Sequence, residues 1–170
     1  MNSKEKVLVH KGIDRIKRNQ YEESLEFFDR VLDTNPKNTD AWNNKGVAFY
    51  KMGNAKSAIE CYDNALEADP ENLEALRNKG FVLRDGGEFE GALEAYEKLI
   101  SREPDANDFR GRATVLVGMS RLEEALESLI KAAEIEPSMQ VETEIEILRQ
   151  SLLDIAMKKE LIEARSIEMD

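Results

Sequence analysis

The chain carries few residues of the types that perform covalent chemistry. It has one histidine, His10, and one cysteine, Cys61. A catalytic site needs a nucleophile, a base and a group that stabilises developing charge, and no such set accompanies His10. A tetrahedral zinc site would need carboxylates for its remaining ligands. We therefore expect no enzyme, no cofactor and no metal site, with His10 as a partly exposed helix residue and Cys61 as a small semi-buried side chain.

Two further patterns look like functional motifs but have structural explanations. Gly86-Gly87 is not followed by Lys-Ser or Lys-Thr, as a phosphate-binding loop would require, and it lies where a turn is expected. The pairs Glu22-Glu23 and Glu123-Glu124 stand at the predicted starts of helices. Carboxylates there complement the positive end of the helix dipole and need no other role.

Composition narrows the class of protein and of partner. Of 170 residues, 35% are charged and only 6% aromatic, in a mix that favours helices. The formal net charge of -11 makes nucleic acid a poor partner on electrostatic grounds. The N-terminal sequence has no apolar run long enough for a signal peptide or a membrane span. With a single cysteine, the expected location is cytoplasmic, without membrane contact.

The four prolines indicate an internal repeat. Pro36, Pro70, Pro104 and Pro137 recur along the chain at an almost constant interval. Counting back from each proline predicts four units and a C-terminal remainder: 5–38, 39–72, 73–105, 106–139 and 140–170.

The units align column by column. The fourth column of each unit is a large apolar residue and the eighth is a tiny one: Leu8, Trp42, Leu76 and Phe109, then Gly12, Gly46, Gly80 and Ala113. Large side chains next to small ones allow two helices to pack closely. The apolar spacing predicts helix pairs at 4–18 and 21–34, 39–52 and 55–68, 73–86 and 89–102, and 107–119 and 122–135.

The pattern Trp-x-x-Lys-Gly…Phe, Ala-x-x-x-Tyr and Pro in 39–72 resembles the tetratricopeptide repeat (TPR). The resemblance implies an all-α fold, a right-handed superhelical array of antiparallel helix pairs. One departure is that the family's leucine before the glycine is basic in every unit: Lys11, Lys45, Lys79 and Arg112. We expect their stems to pack and their charged heads to reach water.

In that family the first helix of each pair lines a concave groove that takes a peptide. The resemblance therefore implies a peptide-binding set on these helices: Asn43, Asn44, Val47, Tyr50, Arg77, Asn78, Phe81, Arg84 and Arg110. Amides can pair with a peptide backbone, and arginines with carboxylates, so we expect an extended or helical protein segment of acidic character. The alternative for the asparagines is helix packing or solvation. The family's clamp for chaperone C-terminal tails is not expected, because only Asn44 matches it.

Residues 138–170 contain no Gly or Pro, and an apolar stripe recurs at helical spacing: Val141, Ile145, Leu148, Leu152 and Ile155. With Ser138 as N-cap, this helix is expected to cap the exposed face of the fourth unit. The sharper alternative is a dimer interface or insertion into a groove of a neighbouring molecule. Leu161-Ile162 and Ile167 belong to a further short helix or a frayed end.

Two main functions follow from these expectations. The first is a scaffold or adaptor that binds a peptide segment of another protein in the concave groove. The second is a structural or self-associating module, a homo-oligomer that uses the C-terminal helix and the ends of the array. A regulatory subunit of an enzyme is a third, weaker interpretation.

Overall fold

The computed structural model describes residues 3–167, with the side chains of residues 3–160. This part of the chain contains nine α-helices: α1 (Ser3–Lys17), α2 (Tyr21–Leu32), α3 (Thr39–Lys51), α4 (Ala55–Ala68), α5 (Leu73–Asp85), α6 (Phe89–Arg102), α7 (Ala106–Gly118), α8 (Leu122–Ile135) and α9 (Met139–Ile167). The prediction of an all-α fold built from helix pairs is confirmed, and the predicted ends of the first eight helices agree closely with the observed ones. None of the helices described is long and apolar enough to cross a membrane.

The turn inside each helix pair has the same backbone conformation. Asn19, Gly53, Gly87 and Ser120 all have a positive φ, between 59° and 78°, and each stands shortly after the first helix of its pair. Such a left-handed residue ends a helix and turns the chain, and glycine adopts it at least cost. Asparagine caps then start several helices, as when Asn38 Oδ1 accepts a hydrogen bond from the backbone N–H of Ala41 at 2.9 Å.

The Cα positions divide into two compact units, Met1–Leu99 and Ile100–Asp170. In the first unit, the tiny eighth-column residues receive aromatic rings. The rings of Phe28 and Tyr62 are buried, with 0% and 1% of their surface exposed. A Cβ atom built on Gly12 would lie 2.5 Å from Phe28 Cε1, and the relation of Gly46 to Tyr62 Cε1 is the same. Glycine is thus required at both positions by close packing.

The basic seventh column forms ion pairs that the sequence expectation did not include. Lys45 Nζ lies 2.6 Å from Asp29 Oδ1, and Lys79 Nζ lies 2.5 Å from Asp63 Oδ1. In both pairs the aspartate belongs to the second helix of the preceding helix pair. The heads of Lys45 and Lys79 therefore do not simply extend into water, because each connects one helix pair to the one before it, whereas Lys11 is exposed as expected.

In the second compact unit, α9 packs on α8 through part of its apolar stripe. Val141, Ile145 and Leu148 are buried, Leu152 is half-buried and Ile155 is 52% exposed. The predicted stripe thus covers its neighbours over its first three residues only. The backbone of α9 is one helix through Ile167, without the separate short helix considered above.

The start of α9 has the predicted cap, because Ser138 Oγ accepts a hydrogen bond from the Val141 N–H at 3.3 Å. The side chains of Leu161, Ile162 and Ile167 lie outside the described residues.

Candidate peptide-binding site

The helices α3 and α5, both in the first compact unit (Met1–Leu99), carry equivalent columns of the predicted site. On α3, Asn43, Val47 and Tyr50 recur at intervals of four and three positions, so they follow one side of the helix. The same columns of the next repeat, on α5, hold Arg77, Phe81 and Arg84. We call these six residues, together with Asn44 and Asn78, the α3–α5 face.

The asparagines of this face are not equivalent. Asn43 is only 2% exposed, and its Oδ1 accepts a hydrogen bond of 2.9 Å from Asn78 Nδ2. The Nδ2 group of Asn43 is buried without a hydrogen-bond partner. Asn44 is half-buried and donates to the backbone carbonyl of Asp40, one turn earlier, at 2.8 Å. Asn43 therefore lies beneath the surface on which the sequence expectation placed it, and Asn78 covers its carbonyl.

An aromatic and charged group occupies the other end of the face. The rings of Tyr50 and Phe81 meet edge to face, with centroids 5.6 Å apart and planes at 87°. The Arg84 guanidinium carbon lies 4.7 Å from the Phe81 ring centroid. Phe81 nevertheless remains 41% exposed. The structure thus holds a large apolar ring at the surface in a fixed position, between another ring and a cation.

The hydroxyl of Tyr50 is also fixed. It donates a 2.8 Å hydrogen bond to Asp85 Oδ2 on the last turn of α5. This hydrogen bond to the carboxylate raises the pKa of Tyr50 above its ordinary value, because it requires the protonated phenol. Tyr50 consequently stays neutral and oriented throughout the physiological range.

The two remaining residues of the α3–α5 face are Val47 on α3 and Arg77 on α5. Val47 is half-buried and packs on the core cluster around Ala58, Tyr62 and Val82. Arg77 is half-buried one turn before Phe81. The structure therefore brings eight of the nine predicted residues together on one pair of helices.

The ninth residue, Arg110, belongs to the second compact unit (Ile100–Asp170) and has a partner within the chain. Its Nη2 and Nε lie 2.7 and 3.3 Å from the two carboxylate oxygens of Glu144 on α9. Hydrogen bonding to this carboxylate raises the pKa of Arg110, because it favours the charged guanidinium. The guanidinium thus already binds a carboxylate in the bidentate manner typical of arginine.

Sequence reasoning missed Asp85 and Glu144, although a spacing signal existed. Asn43 and Asn78, Tyr50 and Asp85, and Arg110 and Glu144 are each separated by about one unit length. Polar residues at this separation therefore face each other across neighbouring helices. Such pairs are found by comparing each polar residue with the residues about one repeat length further along the chain. Aligning equivalent columns does not reveal them.

No chemical site emerges from the part of the chain that is described. His10 is exposed, and its Nε2 lies 3.8 Å from Asp14 Oδ2. Among the described residues, no group of three or more His, Cys, Asp or Glu side chains is placed to hold a metal ion. Cys61 is 5% exposed, and burial raises the pKa of its thiol to about 11, so it is not an activated nucleophile.

Three family models match the sequence. Two described as tetratricopeptide repeat match residues 39–72 and 74–106, and one described as TPR repeat matches residues 14–53. Together these matches span more than half of the chain. No curated protein is similar to the sequence at a significant level.

Solved structures of MamA proteins have a similar fold. One described as a MamA RS-1 ArsTM double mutant is 21% identical, with a TM-score of 0.82, and the match covers 100% of this chain and 99% of that one. MamA 41-end from Desulfovibrio magneticus RS-1 is also 21% identical, with a TM-score of 0.81, over 94% and 92% of the two chains. At this identity the likeness concerns the fold alone.

Tetratricopeptide repeats serve protein–protein interaction and are typically not enzymes. The repeated columns, the helix pairs and the family matches agree with one another. The chain belongs to the tetratricopeptide repeat family.

Proposed function

We propose that the protein is a scaffold or adaptor whose α3–α5 face binds a segment of another protein. The observation that carries this proposal is Phe81. Its ring is 41% exposed, and Tyr50 and Arg84 contact it and fix its orientation. Preorganised aromatic and arginine side chains are the usual anchors of protein interfaces.

Polar groups beside this anchor could form hydrogen bonds with the main chain of the bound segment. Asn78 lies one turn before Phe81 on α5, and its partner Asn43 has a buried N–H group that lacks an acceptor. A small shift of Asn78 would let this amide pair offer a donor to a peptide carbonyl. The segment would thus place an apolar side chain on Phe81 and its backbone near the amides.

The partner segment is proposed to carry acidic residues. Arg77 occupies the column of Arg110, and Arg110 binds the carboxylate of Glu144 through two hydrogen bonds. That pair illustrates how an arginine in this column recognises a carboxylate. Arg84, on the same side of α5, would provide a second cation next to the aromatic anchor.

The proposed compartment is the cytoplasm. The single cysteine is a buried thiol, which fits a reducing environment.

The test is a selection of displayed peptides on the purified chain, followed by binding measurements with the Phe81→Ala/Arg84→Ala variant. Both side chains are at least partly exposed, so helicity and the melting temperature should be unchanged. We expect acidic peptides with one aromatic or aliphatic anchor to bind and to lose at least tenfold in affinity to the variant. The matched control is Met52→Ala/Arg30→Ala, which changes an exposed apolar and an exposed basic residue outside the face. Equal binding by wild type and the Phe81→Ala/Arg84→Ala variant would refute the proposal.

A further inference from the structure

The helix α9 is much longer than its packing on the rest of the second unit requires. It has 29 residues, whereas the first helices α3, α5 and α7 have 13 each. Its last buried residue is Leu148, and residues 153–160 are all exposed. At roughly 1.5 Å per residue, about 28 Å of helix follows Leu148 up to Ile167. A helical segment of this length is marginal in water without a packing partner.

One face of the exposed part of α9 has residues at regular coiled-coil spacing. Arg149, Leu153, Ala156 and Glu160 recur at intervals of four, three and four positions, the spacing of a coiled-coil seam. Leu152 and Met157 flank this seam, and the exposed fractions of Leu153 and Met157 are 58% and 61%. The seam thus has a cation at its start, apolar residues in its middle and an anion at its end.

A concavity adjoins the seam. An apolar groove of about 400 Å³ is lined by Leu126 of α8 and by Arg149, Leu152 and Leu153 of α9. The groove is continuous with the exposed seam, so a helix lying along α9 could place a side chain in it. A long, unbranched side chain such as methionine fits an irregular apolar groove of this kind.

From these observations we propose that two copies of the chain associate through antiparallel pairing of residues 149–160 of α9. A two-fold axis between residues 154 and 155 would pair Arg149 of each copy with Glu160 of the other. The same axis places Leu152 opposite Met157, and Leu153 opposite Ala156. Each contact occurs twice, as the isologous interface of a two-fold dimer requires.

The charges at the two ends of the seam determine how the paired helices are oriented and which molecule binds there. In a parallel pair Arg149 would meet its own copy and so would Glu160, and both contacts are repulsive. In the antiparallel pair both ends become attractive. A sequence whose two ends carry opposite charges about an apolar centre is complementary to itself, so the second copy is the partner that the pattern selects. The Met157 side chain of one copy would enter the groove beside Leu126 of the other.

The proposed dimer contact uses only residues of the second compact unit, and none of them belongs to the α3–α5 face. The contact is small, at the lower end of specific interfaces, so we expect a reversible dimer with a dissociation constant on the order of 10–100 µM.

The experiment is sedimentation equilibrium of the full chain from about 5 to about 500 µM, a range that brackets this dissociation constant, at physiological salt. We expect a monomer–dimer equilibrium for the wild type. Leu153→Glu should weaken the dimer at least tenfold, because it buries a charge at the centre of the seam. Ile147→Glu is the matched control: Ile147 is 60% exposed but is turned about 120° from Leu153 around the helix, so its dimer should be unchanged. Both variants should retain the wild-type melting temperature at low concentration.

Charge reversal tests the register. Arg149→Glu and Glu160→Arg should each be monomeric alone, since each creates two like-charge contacts. Mixed in equal amounts they should form a heterodimer, in which both pairs are attractive again. A wild type that stays monomeric at the highest concentration, a Leu153→Glu variant that dimerises normally, or single reversals that self-associate as the wild type does would each overturn the proposal.

Discussion

The ring of Tyr62 occupies the space next to Gly46, where a Cβ atom would lie 2.5 Å from Tyr62 Cε1 and 2.9 Å from Cδ1. Because Tyr62 is almost fully buried, its ring cannot move aside without displacing the core between α3 and α4. At Gly80 the corresponding space is more open, with Ala95 Cβ at 3.1 Å and the Tyr96 ring at 3.7 Å. Equivalent columns of the repeat therefore differ in how strictly they require glycine.

We predict that Gly46→Ala lowers the free energy of unfolding by about 1–3 kcal/mol, because overpacking outweighs the better helix propensity of alanine. Gly80→Ala should stay within about 1 kcal/mol of the wild type, because the same propensity gain offsets a milder contact. Urea unfolding followed by circular dichroism gives both values. Equal effects of the two substitutions would contradict the packing difference.

Ser120 offers a stabilising substitution. It is exposed and has a φ of 59°, in the left-handed region that glycine adopts without strain at Gly53 and Gly87. Ser120→Gly should raise the stability by about 0.5–1 kcal/mol. Ser120→Ala is the control, since alanine has the same backbone strain as serine and should give no gain. A thermal melt that shows Ser120→Gly at or below the wild type would refute this interpretation of the turn.

The two asparagines of the face should respond differently when their side-chain hydrogen bonds are removed. Asn78→Ala removes the donor to the buried Oδ1 of Asn43, whose Nδ2 already lacks a partner. We expect a loss of about 1–3 kcal/mol, because the whole amide would then be buried and unsatisfied. Asn44→Ala removes only a half-exposed bond to the carbonyl of its own helix and should cost less than about 0.5 kcal/mol. Chemical denaturation of both variants tests this, and a greater loss for Asn44→Ala would contradict it.

The thiol of Cys61 should resist alkylation in the native state. Burial raises its pKa to about 11, so little thiolate exists at pH 8, and the side chain is only 5% exposed. Labelling by iodoacetamide at pH 8 should be slower in buffer than in denaturing urea by a factor on the order of 100 or more. Rapid native labelling would show that α4 opens readily.

The same shift has a consequence for stability at alkaline pH. A folded-state pKa above the unfolded value means that the folded state retains the proton longer. The resulting stability is fully present below the ordinary thiol pKa near 9 and is lost as the pH rises through about 11. The wild type should therefore lose more stability than Cys61→Ala over this range. Parallel losses in the two proteins would show that Cys61 does not contribute.

The sequence allowed much of the fold to be predicted, because the repeat length and the breakers locate every turn. It also placed the columns of the α3–α5 face, but not the depth of each side chain. Asn43 and Asn44 are neighbours with the same chemistry, yet one is buried under Asn78 and the other borders water. That difference depends on how α5 lies against α3, which column matching does not specify. Asp85 was missed for the same reason, and Glu144 was missed because its pairing with Arg110 depends on how α9 lies against α7.

The ion pairs of the basic column have a consequence for how such a chain can grow. Lys45 pairs with Asp29 and Lys79 with Asp63, so the same sequence separation recurs in both pairs. A tandem duplication of residues 39–72 would bring its own lysine and its own aspartate in the correct phase. The inserted copy would reproduce both the bond behind it and the bond ahead of it. Lengthening by whole units is therefore an accessible evolutionary step for this chain, whereas an insertion of another length between the aspartate and the lysine would turn the two charges away from each other.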